Sequence, residues 1–253
     1  MLNNTTVAKL REMKLGVMAQ SFHDQCLNPD LAALSFEERF GLLVDSEWSI
    51  RRSNRLTRLI RKADFAITDA CIEDIKYHPD RKLDKVQITR LAMGNYIEEA
   101  HNIIILGATG SGKSYLACAF GIGACRNFYP VKYIRLPDLL GELAIARAEA
   151  NYRSVIKAYK QIKLLIIDEW LLFPLKENEA RDLLEIFEAR YRRASTILCS
   201  QIAIGGWHDK IREPTLADAI SDRIVHDSYT IVIGGEASMR ERKGLVTKQE
   251  AKS

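Results

Sequence analysis

The sequence predicts an α/β fold: a parallel five-stranded sheet flanked by helices and preceded by a small all-helical N-terminal domain. Three observations carry that expectation. Short apolar runs near 103–106, 131–136, 163–168, 196–200 and 229–233 alternate with longer stretches of helical periodicity, as strands buried on both faces and joined by crossover helices must. From Thr6 to about Phe65 the apolar residues keep helical spacing, with Pro29 the one strong interruption. Between these patterns lies a mixed segment with a turn signal at Tyr77, His78, Pro79 and Asp80 and a helix expected over 83–93. The chain is therefore divided into a helical domain over 1–66, a connecting region over 67–102, the main α/β domain over 103–245, and a tail over 246–253. Helices in the main domain are expected near 112–128, 138–160, 177–194, 214–226 and 236–243.

Length and composition set the outer bounds. A chain of 253 residues with 47% hydrophobic content can bury one full core and carry a small appendage. The formal charge of +4 tolerates a polyanionic partner without establishing one. Five cysteines without a Cys-x-x-Cys pair argue against a disulfide framework or zinc ribbon and read as reduced packing residues. The five histidines have no spacing suited to a metal. No signal peptide is evident, and the apolar runs fall far below the ~20 residues of a membrane-spanning helix. A cytoplasmic location without membrane attachment is expected.

The chemistry begins at Gly107, Ala108, Thr109, Gly110, Ser111, Gly112, Lys113 and Ser114, which satisfy G-x-x-x-x-G-K-[ST]. The flanks give the pattern meaning: an apolar strand precedes it, and a helix follows from Tyr115. Glycines let backbone N–H groups turn inward around phosphates, and the helix N-terminus favours their negative charge. Lys113 would reach the β- and γ-phosphates, and the Ser114 hydroxyl would ligate Mg²⁺. The strand over 164–167 then ends in Asp168 and Glu169, carboxylates at the sheet edge where α/β proteins bind ligands. Asp168 suits the magnesium shell, and Glu169 suits the water that attacks the γ-phosphate. A guanine-reading Asn-Lys-x-Asp run is absent, so the expected cofactors are ATP and Mg²⁺.

Other candidates follow along the chain. The strand over 196–200 ends in Ser200 and Gln201, either able to sense the γ-phosphate, with the longer Gln201 amide preferred. Arg223, on an amphipathic helix, could be presented to a neighbouring subunit; on its own residues an ion pair with Asp222 or Asp227 is the simpler role. Arg51, Arg52, Arg55, Arg58, Arg61 and Lys62 lie in a segment with no acidic residue between Glu47 and Asp64. At about 100° per residue, Arg51, Arg55, Arg58 and Lys62 share one stripe, and Leu56, Leu59, Ile60 and Ala63 another. Such a helix suits salt-sensitive contacts with phosphates of duplex DNA, while a solvated face or an acidic protein partner would use the same pattern.

Taken together, the run from Tyr96 to Asn102 into the glycine loop, Leu164 to Trp170, Arg190 to Gln201, Trp207 and His208, and Pro214 to His226 resemble the IstB-like ATP-binding proteins. These are helpers of insertion-sequence transposases, related more distantly to DnaC-type helicase loaders within the AAA+ ATPases. The resemblance implies a P-loop AAA+ ATPase domain with a short C-terminal lid over 103–245. It implies that Gln201 or Ser200 is sensor 1, Arg223 a trans arginine finger and Arg240 the sensor 2 arginine. It also implies a homo-oligomer on duplex DNA serving a partner transposase. A helicase loader, or a nucleotide-gated DNA scaffold with negligible turnover, is the alternative. The loop and the Cys199-Ser200-Gln201 strand end depart from common family spellings without removing a required chemical group.

Overall fold

The computed structural model describes residues 2–235 and Met239. Its packing divides into two compact units between Arg58 and Leu59.

In the first unit, α1 (Leu2–Glu12) and α2 (Gly16–Leu27) pack on one another. A 3₁₀ turn over Pro29–Ala33 follows, its first turn capped by the Asn28 side chain, because proline fixes φ and removes a donor. A reciprocal capping box opens the long helix α3 (Phe36–Ala63): Ser35 Oγ accepts from the Glu38 N–H at 3.2 Å and Glu38 Oε2 from the Ser35 N–H at 2.8 Å. Within this unit Glu47 is buried and accepts from Met18 N at 2.9 Å and Arg51 Nε at 2.5 Å. Those two bonds, Arg51's first, hold its carboxyl below the usual carboxylate range.

The second unit is α/β. After a 3₁₀ turn over Pro79–Arg81 come α4 (Lys85–Ala92), α5 (Asn95–Glu98), β1 (Asn102–Gly107), α6 (Lys113–Arg126), β2 (Val131–Arg135), α7 (Leu136–Ala148) and α8 (Tyr152–Gln161). The chain continues through β3 (Leu164–Trp170), α9 (Glu177–Arg190), β4 (Ser195–Ser200), α10 (Trp207–Ile211), α11 (Pro214–Val225) and β5 (Ser228–Ile233). The strand order is β2-β3-β4-β1-β5 and every pairing is parallel. The order sets β4 between β1 and β3, so three strand ends converge at one carboxyl edge. Ile103, Ile104, Ile105, Leu164, Leu165, Ile166 and Ile167 are fully buried, each contributing about 1.5–3 kcal/mol relative to exposure. Close approach of α6 to this layer needs Gly121: a Cβ there would lie 2.8 Å from Ile166 Cδ1.

Three elements differ from the sequence expectation. The single helix expected over 138–160 is two, α7 and α8, separated at Ala150, whose φ is 58°. Tertiary bonds hold the break: Arg147 and Tyr152, one on each helix, both reach Asp182 of α9. The helix expected to run to 194 stops at Arg190, whose side chain is turned into the core. That guanidinium donates to Thr196 Oγ1 at 3.0 Å and to the carbonyls of Tyr159 at 2.9 Å and Ile162 at 2.6 Å, and burial pushes its pKa down to about 9. The short α10 had no signal beyond Trp207 itself, which is fully buried against Trp170 with rings 5.6 Å apart. The helix expected over 236–243, and with it Arg240 and the tail, lie outside the described residues apart from Met239. Cys118, Cys125 and Cys199 are buried free thiols, as packing residues should be, whereas Cys26 is exposed.

Candidate nucleotide-binding site

β1 brings the chain to Gly107, and residues 108–112 turn it into α6. The turn uses left-handed backbone at Gly110 (φ 76°) and Gly112 (φ 98°), where an L side chain would be strained. Lys113 opens α6, and its ammonium folds back to donate to the carbonyls of Gly107 at 2.7 Å and Ala108 at 2.8 Å. Burial pushes the Lys113 pKa below the ordinary lysine range, opposed by nearby negative charge at Asp168. A phosphate group in this loop would give the ammonium the counter-charge that the carbonyls only approximate.

β3 brings Asp168 to the same edge, and β2 supports it. Asp168 Oδ2 accepts from Ser114 Oγ at 2.5 Å and from the Tyr133 hydroxyl at 2.7 Å, and Oδ1 accepts from the Glu169 N–H at 2.8 Å. Burial, then the neighbouring carboxylate, pushes the Tyr133 phenol far above its usual range, so it stays protonated as a donor. Glu169 has φ 56°, where the β3–β4 ladder is irregular between Ile167 and Trp170. Its carboxylate is 35% exposed and lies 3.9 Å from Arg135 Nη1, while Arg135 bonds more closely to Asp138 at 2.7 Å.

β4 supplies Gln201. Its Oε1 accepts from Thr109 Oγ1 at 2.7 Å, which joins the sensor candidate to the phosphate loop. Ser200 is fully buried, and its hydroxyl bonds the Trp170 and Ile202 carbonyls at 3.0 Å and accepts from the Ile202 N–H. The structure thus brings Gln201 to the loop and holds Ser200 in the turn.

A cavity of about 660 Å³ opens beside Gly110, Gly112 and Ser114, a volume in the range of small-molecule sites. The connecting region forms a wall of this cavity from the apolar Ile67, Ile75 and Leu83 and the charged Asp69, Asp74 and Lys76, and Tyr115, which also lines it, is tied through its hydroxyl to the Cys71 backbone. Apolar side chains beside a loop of amides and a lysine fit a nucleotide with its base against the apolar group. Sequence reasoning assigned no role to this wall, to Tyr133 or to Arg81, because none of them belongs to a spaced pattern.

The donors fit magnesium too. Ser114 Oγ and Asp168 Oδ2 converge within one hydrogen bond, a hard oxygen pair of the kind that holds Mg²⁺ together with phosphate oxygens and water. Among the described residues no group of three or more His, Cys, Asp or Glu side chains could hold a metal by itself.

The remaining candidates stand elsewhere. Arg223, on α11, bonds Glu188 at 2.7 and 3.2 Å and Asp222 at 2.9 Å and does not line the nucleotide cavity of its own chain. Of the two partners weighed from sequence, Asp222 is found; Asp227 instead pairs with Arg192. Arg51, Arg52, Arg55, Arg58, Arg61 and Lys62 are exposed along α3, and Leu56, Leu59, Ile60 and Ala63 are partly or fully buried. Arg51 also bonds the Lys14 carbonyl, and Arg52 lies over the Trp48 ring at 5.1 Å. No helix among the described residues is long and apolar enough to cross a membrane.

Comparison with known proteins bears on this geometry. Residues 8–247 match the family described as IstB-like ATP binding protein. The insertion sequence ATP-binding protein y4pL of Sinorhizobium fredii is 41% identical over 243 residues, 96% of this chain and 99% of that protein. The insertion sequence IS1162 ATP-binding protein of Pseudomonas fluorescens is 39% identical over 202 residues, 80% of this chain and 87% of its own. Among solved structures, AMPPCP-bound DnaA from Aquifex aeolicus superposes with TM-score 0.58 at 21% identity, covering 70% of this chain and 54% of that one. The DnaC helicase loader gives TM-score 0.54 at 17% identity, covering 65% of this chain and 97% of the other. At such identities the structures speak for the fold alone, a parallel five-stranded sheet flanked by helices. With nearly its full length accounted for by the sequence match and its loop, lysine and paired acids in place, this chain belongs to the IstB-like ATP binding protein family.

Proposed function

We propose that this AAA+ ATPase is an accessory protein of transposition. It works in the cytoplasm, assembles with copies of itself on duplex DNA when ATP is bound, and presents that DNA to a partner transposase. The observation that carries the reading is the convergence of Lys113, Ser114, Asp168 and Gln201 on one loop, in a chain similar over nearly its whole length to insertion-sequence ATP-binding proteins. The likeness to DnaC is at the level of fold, and no residue of the site favours helicase loading over transposition.

Ser114 and Asp168 would hold Mg²⁺, which would supply positive charge against the charge that develops on the phosphates. The chain's own groups then divide the work. Lys113 leaves the Gly107 and Ala108 carbonyls for the β- and γ-phosphates. The Glu169 carboxylate orients the attacking water and draws its proton. Gln201, released from Thr109, reports the γ-phosphate to β4. Arg223 of a neighbouring subunit supplies positive charge from outside the chain.

The test is ATP hydrolysis against protein concentration, with and without duplex DNA, beside co-purification with a candidate partner transposase. Turnover that rises steeply with concentration and with duplex DNA supports the reading. Equal turnover per chain at every concentration removes assembly from it, and selective capture of a replicative helicase replaces the partner.

A further inference from the structure

Beneath the phosphate loop lies a charged side chain from outside the loop's own sequence pattern. Arg81 closes the 3₁₀ turn of the connecting region, thirty residues earlier in the chain, and is only 6% exposed. Its guanidinium forks between two backbone carbonyls: Nη1 donates to Lys76 O at 2.5 Å and Nη2 to Ser111 O at 2.8 Å. The Arg81 carbonyl accepts from Gly234 N at 2.9 Å, which ties the turn to the end of β5.

The bond to Ser111 bears on the cradle through the geometry of the peptide unit. In a planar trans peptide the C=O and the following N–H point in opposite directions. A donor that holds the Ser111 carbonyl outward therefore fixes the direction of the Gly112 N–H, one of the amides that a phosphate in the loop would use. The left-handed φ of 98° at Gly112 belongs to the same arrangement, and a Cβ there would come within 2.9 Å of Arg81 Nη2. Elsewhere in the loop the carbonyls of Gly107 and Ala108 accept from the Lys113 ammonium, which a phosphate would draw away, and that of Gly110 accepts from the Met239 N–H at 2.8 Å. Arg81 is the clamp supplied by the connecting region, and its planar fork serves both carbonyls at once, which a lysine cannot do.

We propose that Arg81 is a positioning residue for nucleoside triphosphate binding, holding the Ser111 carbonyl outward so that the Gly112 amide faces the phosphates. The proposal rests on the loop being the site of ATP. It predicts a loss that scales with the phosphates of the ligand and leaves binding of the base unchanged, although Arg81 lines the same cavity.

The experiment uses the full chain as wild type, Arg81→Gln, Arg81→Lys and Lys113→Ala, with ATP, ADP and adenosine as probes followed by ligand-observed NMR and titration, and with thermal melting of the free protein. The expected result is that Arg81→Gln weakens ATP and ADP by about tenfold, the scale of one lost hydrogen bond to a charged group. Adenosine binding stays at its wild-type value, the unliganded melting temperature falls modestly for the buried bonds lost, and Arg81→Lys recovers part of the ATP loss. If Arg81→Gln does not melt cooperatively, Arg81→Lys carries the test, with a smaller loss for ATP and none for adenosine. Equal weakening of adenosine and ATP would make Arg81 a prop of the whole pocket and overturn the proposal, as would unchanged ATP affinity in both Arg81 variants while Lys113→Ala abolishes it. Wild-type protein that takes up no ATP would overturn the nucleotide site itself.

Discussion

The Ser114 hydroxyl donates to Asp168 Oδ2 at 2.5 Å, across 54 residues of sequence, and the Tyr133 hydroxyl meets the same oxygen at 2.7 Å. The first bond joins the two ends of the proposed magnesium site, and the second fixes the carboxylate in place. With Ser114 turned to a bound magnesium, Tyr133 would remain as the holder of Asp168. Tyr133→Phe is therefore expected to raise the magnesium concentration needed for half-maximal hydrolysis by about three- to tenfold, the scale of one hydrogen bond to a charged group. ATP affinity measured in EDTA should be unchanged. A magnesium requirement equal to wild type would make Tyr133 a packing residue.

Glu169 is the one acid of the pair with an exposed carboxylate, at 35%, and its left-handed backbone sits where the strand ladder loses register. Such strain persists where surrounding structure fixes it and is common at working sites. Glu169→Gln keeps the shape and removes the base. ATP binding should stay within about twofold of wild type while hydrolysis falls by about 10²- to 10⁴-fold, the usual contribution of a general base. Hydrolysis at the wild-type rate in this variant would exclude Glu169 from the chemistry.

Lys113 carries a pH dependence whose sign follows from its burial. With no phosphate present, its pKa is held below the ordinary lysine range, so the ammonium begins to lose its proton at lower pH than a surface lysine. Phosphates bind the charged form and raise that pKa, so ATP affinity is full below the depressed value and declines as pH rises through it. In the unliganded protein the same shift means that the charged ammonium opposes folding. Stability contributed by this group increases as pH climbs from the depressed value toward the ordinary one. Lys113→Ala should weaken ATP by at least about a hundredfold while leaving the apo melting temperature equal or higher. A melting temperature several degrees lower would mean that the lysine's bonds to Gly107 and Ala108 outweigh its desolvation.

The nucleotide pattern was legible because it is local. Loop, lysine and hydroxyl are consecutive, and the acids follow an apolar strand, so spacing alone placed Lys113, Ser114, Asp168 and Glu169 at one edge. The sheet's five strands were legible for a related reason, each being a run such as Ile103–Leu106 that is apolar on both faces. What stayed hidden depends on contacts between distant segments. Arg81 reads as a surface residue in a turn until Ser111 is seen beside it, and Tyr133 reads as a strand core residue until Asp168 is. The break between α7 and α8 has neither Gly nor Pro to mark it and is set by Asp182, some thirty residues further on. The end of β4 suggested Gln201 or Ser200 and the helix face suggested Arg223, family likeness gave them their roles, and the structure brings Gln201 to the loop.

The α3 arginines are unequal. Arg51 is committed to Glu47 and the Lys14 carbonyl, so replacing it would disturb the helical unit as well as any DNA binding. Arg58 and Lys62 are exposed on the same helix and give the cleaner test. Arg58→Gln with Lys62→Gln should lower duplex affinity and reduce the slope of log K against log salt by about 0.9 for each phosphate that is no longer neutralised. Melting should stay close to wild type, since exposed substitutions away from packing cost about 0.5 kcal/mol or less. Wild-type affinity across the salt series would take this face of α3 out of the interface.

Arg223 answers the question of assembly most sharply. In the single chain its guanidinium bonds Glu188 and Asp222, both half-exposed, and solvent-screened pairs of that kind hold a side chain only weakly. Release toward a neighbour's nucleotide is thus inexpensive, and the charge is always present because arginine does not deprotonate in this range. Arg223→Ala should bind ATP with wild-type affinity, since the residue does not line its own cavity, and should lose about 10³-fold or more in turnover on DNA if it supplies transition-state charge. A surface ion pair would give the opposite outcome, unchanged turnover with a slightly lowered melting temperature. Mixing separates a trans role from an indirect one. Arg223→Ala has an intact loop and no donor, whereas Lys113→Ala has a donor and no working loop. Combined before ATP and DNA are added, the two inactive proteins should form some interfaces that hold both Lys113 and Arg223, and hydrolysis should return. Mixtures that stay as inactive as their parts would place Arg223 outside the neighbouring site.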